Sequence, residues 1–326
     1  MQQKREWGHR SILLFFMRIA LLTNSRLSVP SIDFLGSQKL LAAVGLPERE
    51  GKVEDADHIQ YTAANHNVPV TTFAKNDLAA SLAQWLELHR PDVVLVYTFP
   101  FKIPTALLNV PAKGFINFHF GLLPQYRGAD AIFWQIRNRE KEGGVSVHQM
   151  TSQLDKGALY MIHKVAIHPM DTYGSHLLNL SVGGVQALQK LLPMLQSGNV
   201  VLREQDETLA KYYHRPALAD VTIDWRKPAA DIAALVNATN PWNKGAVAYL
   251  NKYPVKILAV TTQNSTSIHA KNEKSGTILI SAQRNNIYVY CGMSEMVNLD
   301  ILFCNDSFIT GAQFAQLGIT SGMQFE

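Results

Sequence analysis

Apolar runs alternate with helix-spaced patterns through the first two-thirds of the chain. Ile19–Leu22, inside MRIALL, reads as a first buried strand that ends at the polar turn Thr23–Arg26. PSIDFLGSQKLLAAVG (30–45) reads as one helix, and VPVTTF (68–73) as a strand. Leu78, Leu82, Trp85, Leu86 and His89 recur at spacings of three and four, so 78–89 forms a helix with one apolar face. Asn76 or Asp77 caps its start and Pro91 closes it. DVVLVYTF (92–99) is almost continuously apolar, as a strand buried on both faces of a parallel sheet is. GFINFHF (114–120), a helix over 129–138, the strands VSVHQM and YMIHKVAI, and a long helix through 176–195 follow. This order predicts an α/β fold, a doubly wound and mostly parallel sheet over residues 17–205.

The pattern then changes. Residues 206–220 (DETLAKYYHRPALAD) are of mixed polarity with Pro216 and read as a linker. A short helix pattern in PAADIAALVNAT precedes the brief strands AVAYL, VKILAV, GTILI, NIYVYC and VNLDILF, which are separated by turn residues. Residues 221–326 are therefore expected to form a small OB-like β-barrel, an open Greek key.

Composition narrows the classes of function. Hydrophobic residues make up 47% of the 326 residues, enough for sizeable cores and too many for a disordered chain. The net charge of +4 is far from that of a protein coating nucleic acid, so DNA is not an expected partner, but an anionic substrate is compatible with it. The cysteines Cys291 and Cys304 exclude a disulfide scaffold and a thiolate zinc site, and read as buried free thiols. The start, MQQKREWGHRSILLFFMRIALL, imitates a signal peptide, but Arg18 interrupts the apolar run and no small-residue cleavage site follows. Residues 1–16 read as an N-terminal extension. No run reaches the length of a spanning helix, and a cytoplasmic, membrane-free protein is expected.

Candidate chemistry concentrates in GFINFHFGLLPQYRG. In a strand, Phe115, Asn117 and His119 face one way and Ile116, Phe118 and Phe120 the other. An amide and an imidazole on one face are either a satisfied core pair or a site at the strand's C-terminal end, where open α/β sheets place their crevices. Asp155, in the Leu-Asp-Lys-Gly turn, is either a turn residue or a third polar group of that site. His148 and His163 read as strand residues, and the histidines form no spaced metal-ligand set.

Together these stretches resemble the folate-dependent formyltransferases of the two-domain, methionyl-tRNA formyltransferase type. The family's catalytic asparagine and histidine match Asn117 and His119, and its Leu-Leu-Pro-x-x-Arg-Gly loop matches Leu122–Gly128. Its later Asp-x-Gly matches Asp155–Gly157, and similarity continues through Ile223-Asp224-Trp225, Asn240-Pro241-Trp242 and the C-terminal FITGAQFAQLGITSG. Gly121 departs from the family's usual serine, and Thr98-Phe99 from its usual glycine. The resemblance implies a formyl donor, 10-formyltetrahydrofolate, no metal, and catalysis by Asn117, His119 and Asp155. Amide and imidazole donors would stabilise an oxyanion in acyl transfer, and His119 or Asp155 would take the amine's proton. It also places the folate ring against Phe99, Phe101, Ile103, Leu122, Leu123 and Pro124. Arg127 and Gly128 then either fix the loop, the favoured role, or position substrate.

The acceptor is the open choice. Glu48, Glu50, Glu54, Asp55 and Asp57 face only Arg49 and Lys52 where the tRNA-acting relatives carry a basic loop. Residues 209–326 hold ten Lys and Arg against eight Asp and Glu, a net +2. A small amine, such as a nucleotide-linked amino sugar or a carrier-bound amino acid, is slightly favoured over methionyl-tRNA. A non-catalytic folate-binding module is the remaining alternative.

Overall fold

The computed structural model describes residues 17–48, 54–263, 273–281 and 286–326. The N-terminal extension and residues 49–53 of the acidic segment lie outside the described residues.

The first half is a seven-stranded sheet with helices on both faces. Its strands are β1 (Ile19–Thr23), β2 (Leu41–Pro47), β3 (Val70–Phe73), β4 (Val93–Tyr97), β5 (Phe115–His119), β7 (Glu142–Gln149) and β8 (Leu159–Ala166), in the order β3-β2-β1-β4-β5-β7-β8. The two-residue strand β6 (Arg127–Gly128) lies outside this sheet. Pairing is parallel from β3 to β5 and antiparallel from β5 to β8. Strands β1 and β4 are buried at every residue, as their unbroken apolar runs require. The helices are α1 (Val29–Ser37), α2 (Glu54–Asn65), α3 (Leu78–His89), α4 (Ala131–Arg137) and α5 (Tyr173–Ser197). Thr172 caps α5 through a reciprocal box with Ser175, and Gly198, at φ 70°, ends it.

The helix expected over 30–45 is two elements. Helix α1 stops at Ser37, the chain reverses at Lys39 in the left-handed region (φ 56°), and Leu41–Pro47 is β2, beside β1. A short apolar run buried on both sides fits helix and strand periodicity alike, and here sheet pairing decides.

The expected linker contains a 3-10 turn (Glu207–Leu209), strand β9 (Tyr212–Tyr213), which pairs parallel with β6, and helix α6 (Leu218–Val221). After α7 (Ala229–Thr239) come β10 (Ala246–Leu250), β11 (Tyr253–Gln263), β12 (Ile278–Ile280), β13 (Ile287–Tyr290), β14 (Met296–Cys304) and β15 (Ser307–Thr310), then α8 (Gly311–Ala315). The strands form an antiparallel sheet ordered β10-β11-β14-β13-β12, with β15 on β14. Residues 323–326 connect its two ends. Glu326 N–H donates to Tyr249, Phe325 N–H to Gly276, and Ile278 N–H to Met323. Phe325 stacks on Trp225 inside, with ring centroids 5.2 Å apart.

One apolar cluster runs through both halves, from Phe118, Phe133 and Leu188 to Leu235, Val289 and Phe325. Helices α4 and α7 meet at this junction, where Phe133 lies edge-on to Trp242 at 5.9 Å. A second cluster on the opposite sheet face gathers Phe73, Leu82, Trp85, Ile103 and Phe115. Burial pushes the Cys291 thiol up to about 12, while Cys304 is half-buried. Among the described residues no helix is long and apolar enough to cross a membrane.

Candidate active site

Alternation along β5 sends Ile116, Phe118 and Phe120 into the first apolar cluster and Phe115 into the second. Asn117 and His119 share the face of Phe115. Antiparallel pairing with β7 sets Asn117 opposite His148 and His119 opposite Ser146. Four polar side chains thus form a cross-strand block on one sheet face, all buried except the half-buried Asn117.

Each is held by a specific bond. Ser146 Oγ donates to Gly121 O (2.6 Å) and accepts from Leu123 N–H (3.0 Å), which fixes the Gly-Leu-Leu-Pro turn on β7. The Leu123–Pro124 peptide of that turn is cis. His148 Nδ1 meets Gln149 O at 2.9 Å, and its Nε2 meets Asn117 Nδ2 at 3.0 Å. A carbonyl only accepts and an amide nitrogen only donates, so His148 is neutral with its proton on Nδ1. Burial agrees, lowering its pKa to about 4. One N–H of the Asn117 amide is therefore taken by His148, leaving the other for a ligand.

His119 Nε2 lies 2.6 Å from Tyr126 O, to which it must donate, so its Nδ1 is bare when the ring is neutral. Nδ1 faces Asp155 Oδ1 at 3.7 Å, and His148 Nε2 faces the same oxygen at 3.8 Å. These separations are too long for hydrogen bonds. The other carboxylate oxygen, Oδ2, accepts from Gly128 N–H at 2.8 Å. Asp155 Oδ1 accepts no hydrogen bond among the described residues, and acceptor atoms of His119 and His148 surround it. Such a group of acceptors suits an incoming N–H donor.

The glycines here are steric requirements. A Cβ at Gly121 would lie 2.8 Å from His119 Nε2 and 2.7 Å from Ala131 Cβ, so the absence of the family's usual serine leaves room for the His119–Tyr126 bond. A Cβ at Gly157 would lie 1.6 Å from Gln149 O, which lets the Asp155 turn close on the end of β7.

Arg127 is fully buried and makes five donations. Nε and Nη2 reach Gln205 Oε1 (3.1 and 2.8 Å), Nη2 and Nη1 reach the Glu207 carboxylate (2.7 and 2.9 Å), and Nη1 reaches the Tyr212 hydroxyl (2.9 Å). The Arg127 bond holds the exposed Glu207 carboxyl down at about 2. Arg127 thus ties its loop to the segment from Gln205 to Tyr212 through side-chain bonds.

Phe99 and Phe101 are half-buried, edge-on to each other at 5.4 Å, and pack with Ile103, Phe115 and Met150. Leu122 is half-buried beside Gly144, and Leu123 and Pro124 are buried in the turn held by Ser146. Among the described residues no group of three or more His, Cys, Asp or Glu is arranged to hold a metal ion.

Sequence reasoning missed His148, Gln205, Glu207 and Tyr212. Ser146 and His148 alternate with Val145 and Val147, which marks a polar strand face that pairing could set beside Asn117. His148 is a strand residue, as expected, and it is also part of the site.

Residues 48–188 match the Formyl transferase family model, and residues 218–316 match that of the Formyl transferase C-terminal domain. The methionyl-tRNA formyltransferase of Citrifermentans bemidjiense is 30% identical over 286 residues, 86% of this chain and 87% of that protein. WlaRD, a sugar 3N-formyl transferase solved with dTDP and 5-N-formyl-THF, has a similar fold, with a TM-score of 0.64 at 16% identity over 87% of this chain and 97% of that one. An N-formyltransferase from Helicobacter canadensis, solved with folinic acid and dTDP-3-aminofucose, gives a TM-score of 0.64 at 17% identity over 87% and 98% of the two chains. With both halves matched in order, and the sequence likeness running through most of its length, the chain belongs to the formyl transferase family of enzymes.

Proposed function

We propose that the protein transfers a formyl group from 10-formyltetrahydrofolate to the primary amine of a small acceptor, a nucleotide-linked amino sugar or a carrier-bound amino acid. The observation that carries the chemistry is Asp155 Oδ1, which accepts no hydrogen bond among the described residues and faces His119 Nδ1 at 3.7 Å, while the nearby His148 Nε2 is already engaged by Asn117. An acceptor amine fills that need with its N–H groups. The proton it sheds passes to the His119–Asp155 pair, where Nδ1 of His119 is the free basic atom and the carboxylate stabilises the imidazolium. Asn117 turns its remaining N–H toward the oxygen on which negative charge develops, and His148 holds the amide in that orientation.

Members of the family take the formyl group from a formyl-tetrahydrofolate, and the residues present suit such a donor. Phe99, Phe101 and Ile103 make an aromatic, apolar bed on the sheet face that carries Asn117, and Leu122, Leu123 and Pro124 form the turn beside β7.

The charge arrangement supports a small acceptor. Arg226 is paired with Asp224 at 2.8 Å, Arg139 with Asp231 at 3.1 Å, and Lys244 lies over the Phe303 ring at 4.5 Å. Lys256 donates to Asn243 O at 2.6 Å. Cations engaged in this way make a poor phosphate groove. The second reading, initiator methionyl-tRNA, is favoured by the names of the curated relatives, such as that of C. bemidjiense.

The test offers purified protein and 10-formyltetrahydrofolate to a dTDP-amino sugar, an aminoacylated carrier protein and methionyl-tRNA at matched concentration and low salt. A preference for methionyl-tRNA above about a hundredfold, roughly 2.7 kcal/mol in transition-state binding, overturns the small-acceptor reading. Folate binding without formylation of any acceptor supports the non-catalytic module. In the active protein, His119→Ala and Asp155→Asn are expected to keep donor binding and lose most turnover. A normal rate in either variant removes that residue from the chemistry.

A further inference from the structure

The segment after α5 runs back over the Asp155 turn before it reaches the second half of the chain. Arg203 exchanges two backbone hydrogen bonds with Leu159 (2.7 and 3.0 Å), and β9, which begins at Tyr212, pairs with β6. Between these anchors, Gln205 is half-buried and spans two groups. Its Nε2 donates to Asp155 O and to Gly157 O, both at 2.8 Å. Its Oε1 accepts from Nε and Nη2 of Arg127.

We propose that Gln205 is a positioning residue for formyl transfer, holding the Asp155 turn in the geometry that presents the carboxylate to His119. The inference rests on the reading that Asp155 takes part in that reaction. Asp155 gains from such support because its φ of 55° lies in the left-handed region, which aspartate enters more readily than most side chains but still at some cost. The side chain is held at Oδ2 by Gly128 N–H, and the backbone is held by Gln205 at the carbonyls of residues 155 and 157. Both constraints lead back to Arg127, which is bonded to Gln205 and covalently joined to Gly128. The fully buried guanidinium is thus the fixed point from which both are set.

The chemistry of the site calls for a carboxamide. One branch must accept from a guanidinium while the other donates to two carbonyls, and an uncharged amide does both. Glutamate would keep the Arg127 contact, strengthened by charge, and lose both donations to the turn. Asparagine is one methylene too short to span the same groups. Gln205→Glu therefore separates anchoring of the strap from positioning of Asp155.

The experiment uses the full chain labelled with 15N-glycine. It reads amide exchange at Gly128, whose N–H reports the place of the Asp155 carboxylate, together with the melting temperature. Turnover is read with 10-formyltetrahydrofolate and whichever acceptor of the panel above is formylated fastest. Gln205→Glu is expected to melt within a few degrees of the parent, to exchange Gly128 at least tenfold faster, and to lose about tenfold in kcat with the KM for the donor unchanged. Gln205→Ala is expected to show the same loss of rate and protection with a lower melting temperature. The proposal fails if Gln205→Glu matches the parent in Gly128 exchange and kcat. It also fails if the losses in Gln205→Ala are restored by glutamate in step with the melting temperature, or if neither variant folds, since the role is then structural alone. Failure of the underlying reading looks different. Asp155→Asn would then turn over normally, while Gly128 exchange in the Gln205 variants still reports whether the turn is held.

Discussion

Replacing His148 by leucine tests whether this histidine acts on the reaction only through Asn117. The substitution removes the acceptor for one Asn117 N–H, a neutral hydrogen bond of 3.0 Å at a half-buried amide. Such a bond is worth about 0.5–1.5 kcal/mol net, because the freed N–H can turn to water. If that energy serves only to orient the amide, kcat falls by about two- to tenfold. Losing the amide altogether, in Asn117→Ala, removes a donor to the developing oxyanion and costs about 10²–10³ in rate. The two variants should therefore differ by about an order of magnitude or more. His148→Gln, which again offers an acceptor oxygen, should recover part of the loss. Because the histidine's pKa is lowered to about 4 by burial, it stays neutral across an ordinary assay range. The shape of the pH–rate profile between about pH 5.5 and 9 should then be unchanged in His148→Leu. Steady-state rates at saturating donor, followed through tetrahydrofolate release, give both quantities. A loss as large as that of Asn117→Ala, or a displaced acid limb, would refute the supporting role and place His148 in proton transfer.

Other expectations concern stability and the shape of the site. His176 is fully buried with neither ring nitrogen partnered among the described residues, and burial lowers its pKa from 6.5 to about 4. The unfolded chain binds that proton more readily, so the stability contribution is complete above pH 6.5 and is lost as pH falls toward 4. Urea titrations at pH 7.5 and 4.5 should show His176→Leu less acid-sensitive than the parent by about 2–3 kcal/mol, and parallel pH dependence would contradict the argument. Gly121→Ser should displace His119 from Tyr126 O, because its Cβ would come within 2.8 Å of Nε2. A several-fold lower kcat is expected, and a crystal structure of the variant with the 2.6 Å contact intact would be the contrary result.

The parts of the site legible in the sequence were those that local periodicity exposes. Alternation along 115–120 separated Asn117 and His119 from the core-facing phenylalanines before any strand pairing was known. The two strands that flank β1 behaved differently. β4 read as a strand because its apolar run stands between a helix ended by Pro91 and a loop broken by Pro100 and Pro104, whereas β2 merged with the helix before it, no proline or glycine intervening between Ser37 and Leu41. Contacts made across long stretches of chain left no local mark. Arg127 bonds partners 78–85 residues away, and those partners lie in a polar stretch that has the composition of a linker. His148 was visible as a strand residue, but its pairing with Asn117 depends on the β5–β7 register, which neither strand specifies alone.

The continuous apolar cluster has a consequence for how acceptor preference can change in this chain. Phe133 and Ile132 of the catalytic half share a core with Leu235 and Val236 of α7, and Trp242 closes over the junction. The second half is therefore not a cassette that can be exchanged for one recognising a different amine, because a replacement would have to reproduce the buried side of α4 as well as the new binding surface. Cutting the chain after residue 205 would expose that side to water, and each large apolar residue uncovered costs about 1.5–3 kcal/mol. Calorimetry should accordingly show one unfolding transition, and variation in specificity should be confined to solvent-facing residues at the rim, where it leaves the shared interior undisturbed.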